Sequence, residues 1–261
     1  MPIAAPLIVS ALFGLLFGSF ANVLILRDGR RLSILTGHSE CPTCKNLLGA
    51  LELVPVLSWL ALRGHCRHCH APISAQYPLV ELCAAALFST ATWLGYVRGG
   101  SVVGALLLAS SLLVALVVSV IDIRTMEVPI DYVVAGGVLG AATALVLHVV
   151  TPLQSLEGLL VGAGSLGGVI ILWKRIRHEE GMGSGDIWVM GAIGAGLGPV
   201  LTVVALVLAV WAGSIAGVSY AVSTGKGLKI RMPFGPFLYA GGLAALLFGQ
   251  RIADWYILTL R

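Results

Sequence analysis

Two aspartates set in otherwise apolar stretches, Asp122 in Val120-Ile-Asp122-Ile-Arg124 and Asp186 in Gly183-Ser-Gly185-Asp186, are the residues of this chain best suited to chemistry. An ionisable group at membrane depth is costly to keep, which makes each a functional candidate. Two carboxylates sharing one site cannot both ionise cheaply. One keeps a proton while the other stays a base, the arrangement by which an acid pair activates water. Gly183 and Gly185 suit such a site because glycine permits backbone conformations and close approaches that a side chain would block. For either aspartate taken singly, a helix-end charge facing the interface is an equally good reading.

A second constellation lies in the polar stretch from Arg27 to Pro78, where Cys41-Pro-Thr-Cys44 and Cys66-Arg-His-Cys69 form two CxxC pairs with residues 45–65 between them. Two residues between thiolates let one turn present both sulfurs to a single ion, and two such turns complete a tetrahedral site of four thiolates. The expected metal is zinc, in a closed site with a structural role. The alternative is a pair of disulfides, which a reducing cytoplasm disfavours. His65, His68 and His70 crowd the second pair and could replace a thiolate or stand behind the ligands. Cys83 stands alone in an apolar run and reads as a small buried apolar residue.

The elements that must position these groups follow from composition: 58% of the 261 residues are hydrophobic, 11% are charged, and the mean hydropathy is +0.97. Crossing a hydrocarbon layer of about 30 Å takes about 20 apolar residues in a helix. The apolar runs give eight candidate spans near 4–26, 79–97, 101–123, 130–150, 156–173, 184–197, 200–221 and 234–250. The first run has no basic leader and no small-residue cleavage pattern, and it is expected to stay as a mature helix. Of the 16 Lys and Arg residues, only Arg98, Arg251 and Arg261 follow even-numbered spans. Arg27, Arg30, Arg31, Lys45, Arg63, Arg67, Arg124, Lys174, Arg175, Arg177, Lys226, Lys229 and Arg231 follow odd-numbered ones. The positive-inside rule then puts both termini in the periplasm and the cysteine-bearing insert in the cytoplasm. The same asymmetry accounts for the net charge of +4, and a nucleic-acid partner is not expected.

Glycine clusters at Gly162, Gly164, Gly167 and Gly168 and at Gly191, Gly194, Gly196 and Gly198 read as close helix packing. No internal repeat, low-complexity tract or flexible linker stands out. The expected fold is an all-α polytopic membrane protein of about eight transmembrane helices with a small cytoplasmic zinc-ribbon insert. Its parts are a first transmembrane helix at 1–26, the zinc-binding insert at 27–78, and a membrane core of about seven helices at 79–261 that carries the aspartate pair.

The chain resembles the type IV prepilin peptidases, bifunctional leader peptidases and N-methyltransferases of bacterial pilus and type II secretion systems. Gly18-Ser-Phe-Ala-Asn-Val23 is similar to the family's opening signature, Cys41 to Cys69 to its zinc insert, and Cys69-His-Ala-Pro-Ile-Ser-Ala-Gln-Tyr-Pro78 through Glu81 to the stretch that follows. Asp122 with Pro129 matches the first catalytic motif, Gly183 to Asp186 the second, and Pro233-Phe234-Gly235-Pro236 the start of the last helix. Two positions depart from the pattern: Ile130 intervenes between Pro129 and Asp131, and Trp188 stands where a Lys is common.

The resemblance implies an inner-membrane aspartic endopeptidase that cuts prepilins or pseudopilins on the cytoplasmic side, after a Gly preceding an apolar helix. It also implies methylation of the new N-terminus from S-adenosylmethionine. No glycine-rich Rossmann fingerprint for that cofactor is present, and Glu52 and Glu81 are the acidic residues that could bind the amine or cofactor. Proline lacks an N–H and resists continuing a helix. Pro233, Phe234, Gly235 and Pro236 could therefore leave backbone groups free for an extended substrate, or form a plain helix-start turn. Membrane lipid is the other expected partner. The competing readings are a peptidase without methyltransferase activity, a zinc-stabilised scaffold, and a transporter. Transport would place acidic groups near the bilayer midplane, away from the cytoplasmic margin where these two fall.

Overall fold

The computed structural model describes residues 3–27, 39–97, 101–177, 183–225 and 232–259. Arg30, Arg31, Arg98, Lys226, Lys229, Arg231 and Arg261, which enter the charge argument, lie outside the described residues. Lipid offers the backbone no hydrogen bonds, so a chain this apolar folds into elements that satisfy their own N–H and C=O groups. The described residues form helices and two isolated bridges, with no strand among them.

The helices are α1 (Ala4–Arg27), α2 (Leu57–Ala61), α3 (Gln76–Val97), α4 (Val102–Thr125), α5 (Ile130–Val146), α6 (Pro152–Arg177), α7 (Gly185–Thr224) and α8 (Gly235–Thr259). A short 3-10 turn, Ala50–Leu53, precedes α2. Among them α1, α3, α4, α6 and α7 are long and apolar enough to cross a membrane, and α5 is a shorter apolar helix. Packing divides the chain into two compact units, Met1–Val117 and Val118–Arg261.

The sixth and seventh expected spans are the two helical arms of α7, which meet where Gly198 leaves helical geometry. The joint is Gly198-Pro199. Gly198 sits at φ 75°, ψ 172°, a conformation that a side chain would oppose. Pro199 has no N–H, which deprives the Ala195 carbonyl of its donor one turn on. Ser155 of α6 supplies the missing bond, its hydroxyl donating to the Ala195 carbonyl at 2.6 Å. Thr202 turns its hydroxyl back to the Gly198 carbonyl, also at 2.6 Å. The two arms of α7, with α1, α3, α4, α5, α6 and α8, correspond to the eight apolar runs expected.

Three boundaries differ from the apolar runs. Helix α5 ends at Val146, where Leu147 closes the turn and His148 takes φ 51°. Helix α6 starts at Pro152 because Thr151 and Gln154 form a reciprocal cap. The Thr151 N–H donates to Gln154 Oε1 at 2.9 Å and the Gln154 N–H to Thr151 Oγ1 at 3.2 Å. Helix α8 continues past position 250 to Thr259, and Gln250 pairs with Asp254 one turn later at 2.9 Å.

In the first unit α1 packs on α3 through Gly14 and Gly18, four residues apart on one helix face. A side-chain carbon at Gly14 would lie 2.6 Å from Ala85 Cα, and one at Gly18 2.7 Å from Glu81 Cα. Small residues so spaced let two backbones approach closely in lipid. Asn22, one turn further, is buried. Its amide donates to the Gly18 and Tyr77 carbonyls, and its oxygen accepts from Gln76 Nε2 at 3.4 Å. The opening signature and the stretch ending at Glu81 thus meet side by side. Cys83 corrects the expectation of burial: it is exposed on α3. In lipid the outer face of a helix is as apolar as its inner one, so hydrophobicity does not assign a side.

In the second unit α7 packs on α5, α6 and α8. Of the clustered glycines, Gly162 and Gly194 lie where a side chain would collide with the Met190 and Gly158 carbonyls of the facing helix. Gly164 and Gly168 face open space, which withdraws the packing reading for those two.

Candidate active site and metal centre

Asp122 occupies the last turn of α4. Met126, at φ 57°, ends that helix with its N–H on the Asp122 carbonyl at 2.9 Å. Asp186 occupies the first turn of α7, its N–H directed to the Gly183 carbonyl at 3.3 Å. Both side chains are withdrawn from solvent, at 4% and 6% exposure. The Asp186 carboxyl lies within electrostatic reach of Asp122, so the structure brings the two together.

A third element joins them. The Gly235 N–H, at the start of α8, donates to Asp122 Oδ2 at 2.9 Å in a buried hydrogen bond. A side-chain carbon at Gly235 would lie 2.7 Å from that oxygen, so the bond depends on glycine. The sequence left the 233–236 segment open between substrate docking and a plain helix-start turn. Pro233 and Pro236 have no N–H, and the Gly235 N–H is committed to Asp122. Only the Phe234 N–H remains as a main-chain donor there. The Phe234 carbonyl accepts from Phe237 and Leu238, and its ring lies 6.5 Å from that of Phe237.

The two glycines of the second motif differ. A side-chain carbon at Gly185 would fall 2.6 Å from Val128 Cβ, on the link between Asp122 and α5. One at Gly183 would meet only Asp186 Oδ2, at 3.9 Å. Val128 gave no signal in the sequence, because a valine at a helix boundary has no chemistry to mark it. Of the two departures, Asp131 is exposed at the start of α5, and Trp188 is exposed on α7.

In the insert, Cys41, Cys44, Cys66 and Cys69 bring their sulfurs within 4.8 Å of one another, a group that could hold a metal ion. The Cys41 and Cys69 sulfurs are 3.8 Å apart, the edge of a tetrahedron built on metal–sulfur bonds of about 2.3 Å. The donor set therefore fits a thiophilic tetrahedral ion. Each pair is folded by the same turn. In the first, the Cys41 N–H binds the Asn46 carbonyl, the Lys45 N–H binds the Cys41 carbonyl, and Lys45 takes φ 59°. In the second, the Cys66 N–H binds the Ala71 carbonyl, the His70 N–H binds the Cys66 carbonyl, and His70 takes φ 55°. Antiparallel bridges Glu40↔Leu47 and His65↔Pro72 flank them. The insert thus contains a short repeat that the sequence hid, since only the cysteines match.

Charge at the centre agrees with a metal. The Cys44 and Thr43 N–H groups bring the Cys41 thiol down to about 6. The Ala71 N–H favours the Cys69 thiolate, but partial burial and the three neighbouring sulfurs outweigh it and push Cys69 up to about 11. Four thiols this close cannot all ionise without a cation among them. His65 and His68 are directed elsewhere, His65 Nδ1 to the Arg63 carbonyl at 2.7 Å and His68 Nε2 to Glu52 Oε1 at 4.0 Å.

Glu52 and Glu81 have separate surroundings. Glu52 Oε2 accepts the Gly49 N–H at 2.8 Å, while its Oε1 is buried with no hydrogen-bond partner among the described residues. Glu81 is buried and accepts the Val56 N–H at 2.7 Å and a bond from Ser19. Val56 is held at φ 61°, ψ −49°, a tight turn closed by the Leu57 N–H on the Pro55 carbonyl, which is unfavourable for a β-branched residue. Glu81 therefore fixes a strained turn of the insert, whatever else it does.

Two outcomes follow from this geometry. Gly185→Ala should destabilise the protein in detergent by about 1–3 kcal/mol through overpacking on Val128, and Gly183→Ala by far less. Equal thermal shifts for the two variants would contradict the contact described. Replacing Cys41 and Cys44 together by Ser should release one equivalent of metal and expose the insert to protease, read by elemental analysis and limited digestion. Full metal content in that variant would remove both residues from the ligand set.

Comparison with known proteins completes the picture. Residues 12–94 match the bacterial peptidase A24 N-terminal domain, and residues 106–218 match the type IV leader peptidase family. The chain is 35% identical to the prepilin leader peptidase/N-methyltransferase of Aeromonas hydrophila, over 94% of this chain and 92% of the relative. It is 36% identical to that of Burkholderia pseudomallei strain K96243, over 95% and 87%. It is 33% identical to the type 4 prepilin-like proteins leader peptide-processing enzyme of Escherichia coli O78:H11, over 94% of each chain. No solved structure matches the chain. With membrane-length helices, a four-cysteine cluster and both family domains in order, the chain belongs to the prepilin leader peptidase/N-methyltransferase family of multi-pass membrane enzymes.

Proposed function

We propose that this enzyme removes the leader of type IV prepilins or pseudopilins at the cytoplasmic face of the inner membrane, cutting after a Gly that precedes an apolar helix. Asp122 and Asp186 act as an aspartic pair in this reading. The new N-terminus is then methylated from S-adenosylmethionine. The observation that carries the reading is the buried pair itself: two carboxyls at the ends of two apolar helices, within electrostatic reach of each other, one of them tied to the Gly235 N–H.

The chemistry follows from two carboxyls in different protonation states. The ionised one takes a proton from a water molecule as the water oxygen attacks the scissile carbonyl, and the protonated one gives its proton to the carbonyl oxygen. As the intermediate collapses, the C–N bond breaks, the leaving amine receives a proton from the first carboxyl, and the reforming carbonyl returns one to the second. The Gly235 N–H fixes one Asp122 oxygen so that the other keeps its aim. Main-chain pairing of the substrate with the 233–236 segment rests on the Phe234 N–H.

Residues 27–78 serve as an insert in which Cys41, Cys44, Cys66 and Cys69 hold zinc in a closed, structural site. Residues 1–26 and 79–261 form the membrane frame, with periplasmic termini. S-adenosylmethionine supplies the methyl group when bound. We place reception of the substrate amine or cofactor at Glu52, whose buried Oε1 accepts no hydrogen bond and faces His68 Nε2 at 4.0 Å, with Glu81 holding the adjoining turn in shape.

Asp122→Asn and Asp186→Asn should each lower leader cleavage by at least about 100-fold, while the protein stays inserted, metal-loaded and able to methylate a pilin already cleaved. The double variant should be little worse than either single one, since the groups act as a unit. Cleavage of a synthetic prepilin and methyl incorporation, both followed by mass spectrometry, check this. Near-normal cleavage by either variant would defeat the assignment. Loss of methylation in both would place the two activities in one site.

A further inference from the structure

The insert leaves apolar side chains uncovered. Leu51 is 79% exposed, Leu57 65% and Leu60 57%. Leu57 and Leu60 are three residues apart on α2 and so share a face, and the 3-10 turn carrying Leu51 packs beside that helix. Trp59, between them, turns inward: its indole N–H donates to the Ile73 carbonyl at 3.1 Å, and its ring lies where a side chain at Gly64 would. Residues 53–62 carry no charge, and the exposed Arg63 and Arg67 follow directly. The insert hangs between α1, which ends at Arg27, and α3, which begins at Gln76, both apolar enough to cross a membrane. It is thus tethered by both ends to one membrane surface.

We propose that α2 and the turn before it lie in the headgroup layer of an anionic bilayer, with Leu51, Leu57 and Leu60 at the acyl boundary and Arg63 and Arg67 on the phosphates. Apolar side chains beside basic ones are what such a surface recognises, and the arginine fork matches phosphate geometry. A purely aqueous setting would leave three large leucines of a small domain in water. The placement rests on α1 and α3 crossing the membrane. It holds the four-cysteine site against the bilayer.

The test uses the full-length protein in bilayers containing phosphatidylglycerol. Spin labels are placed at Leu57→Cys and Leu60→Cys in a Cys83→Ser background, with metal content confirming the fold. Collisions with oxygen should exceed those with a water-soluble nickel chelate at both positions, as they should at Trp211→Cys, which is 69% exposed on α7. That excess should be lost when Arg63 and Arg67 are both replaced by glutamine, or when phosphatidylcholine replaces the anionic lipid. Access to the nickel chelate at both positions would overturn the proposal. So would shielding from both relaxants, which would mean that a prepilin-free protein surface, a second copy or another part of this chain, covers the face. If the labelled variants lose metal, unmodified protein with photoactivatable phosphatidylglycerol decides: crosslinks within residues 53–62 are expected, and their absence while α7 crosslinks normally would refute the placement.

Discussion

A lipid tail can neither donate nor accept a hydrogen bond, and most of this structure answers to that constraint. Every polar group at membrane depth needs a partner from the chain itself. The break in α7 is tolerable because Ser155 caps the carbonyl that Pro199 strands, and because Thr202 turns back to Gly198. Asn22 is tolerable because three groups of α1 and α3 surround its amide. At the carboxyl pair the same constraint is met by the Gly235 N–H, which satisfies one Asp122 oxygen.

The aspartate pair therefore belongs to three helices, not two. Helix α4 delivers Asp122, α7 delivers Asp186, and the first N–H of α8 fixes the orientation of the former. Each close approach is made by a glycine with a neighbour where its side chain would be: Gly185 against Val128 and Gly235 against the Asp122 carboxyl. The four-cysteine cluster is built by the opposite logic. Its four sulfurs come from two local turns of the same design, which need little from the rest of the chain beyond the Glu81 bond that holds the Val56 turn.

What the sequence revealed follows from cost. Carboxylates in apolar runs and paired cysteines are expensive residues with few innocent explanations, so Asp122, Asp186 and the four cysteines stood out. Helix number could be read from apolar length. The break between the two arms of α7 was legible as well, since Gly198-Pro199 interrupts the apolar run. Thr151-Pro-Leu-Gln154 carried a legible capping signal that apolar counting passed over. The Gly235 bond to Asp122 joins residues 113 positions apart, and no spacing rule reaches that far. Cys83 failed for a simpler reason, because in a membrane both faces of a helix are apolar.

The central claim is that Asp122 and Asp186 activate water directly, without bonding to the substrate. A single turnover on a synthetic prepilin in 18O-labelled water tests it, with the leader and the digested enzyme both weighed. The account predicts one 18O atom in the new C-terminal carboxylate of the leader and none in peptides containing Asp122 or Asp186. Label in either aspartate would mean attack through a covalent acyl intermediate and would contradict it.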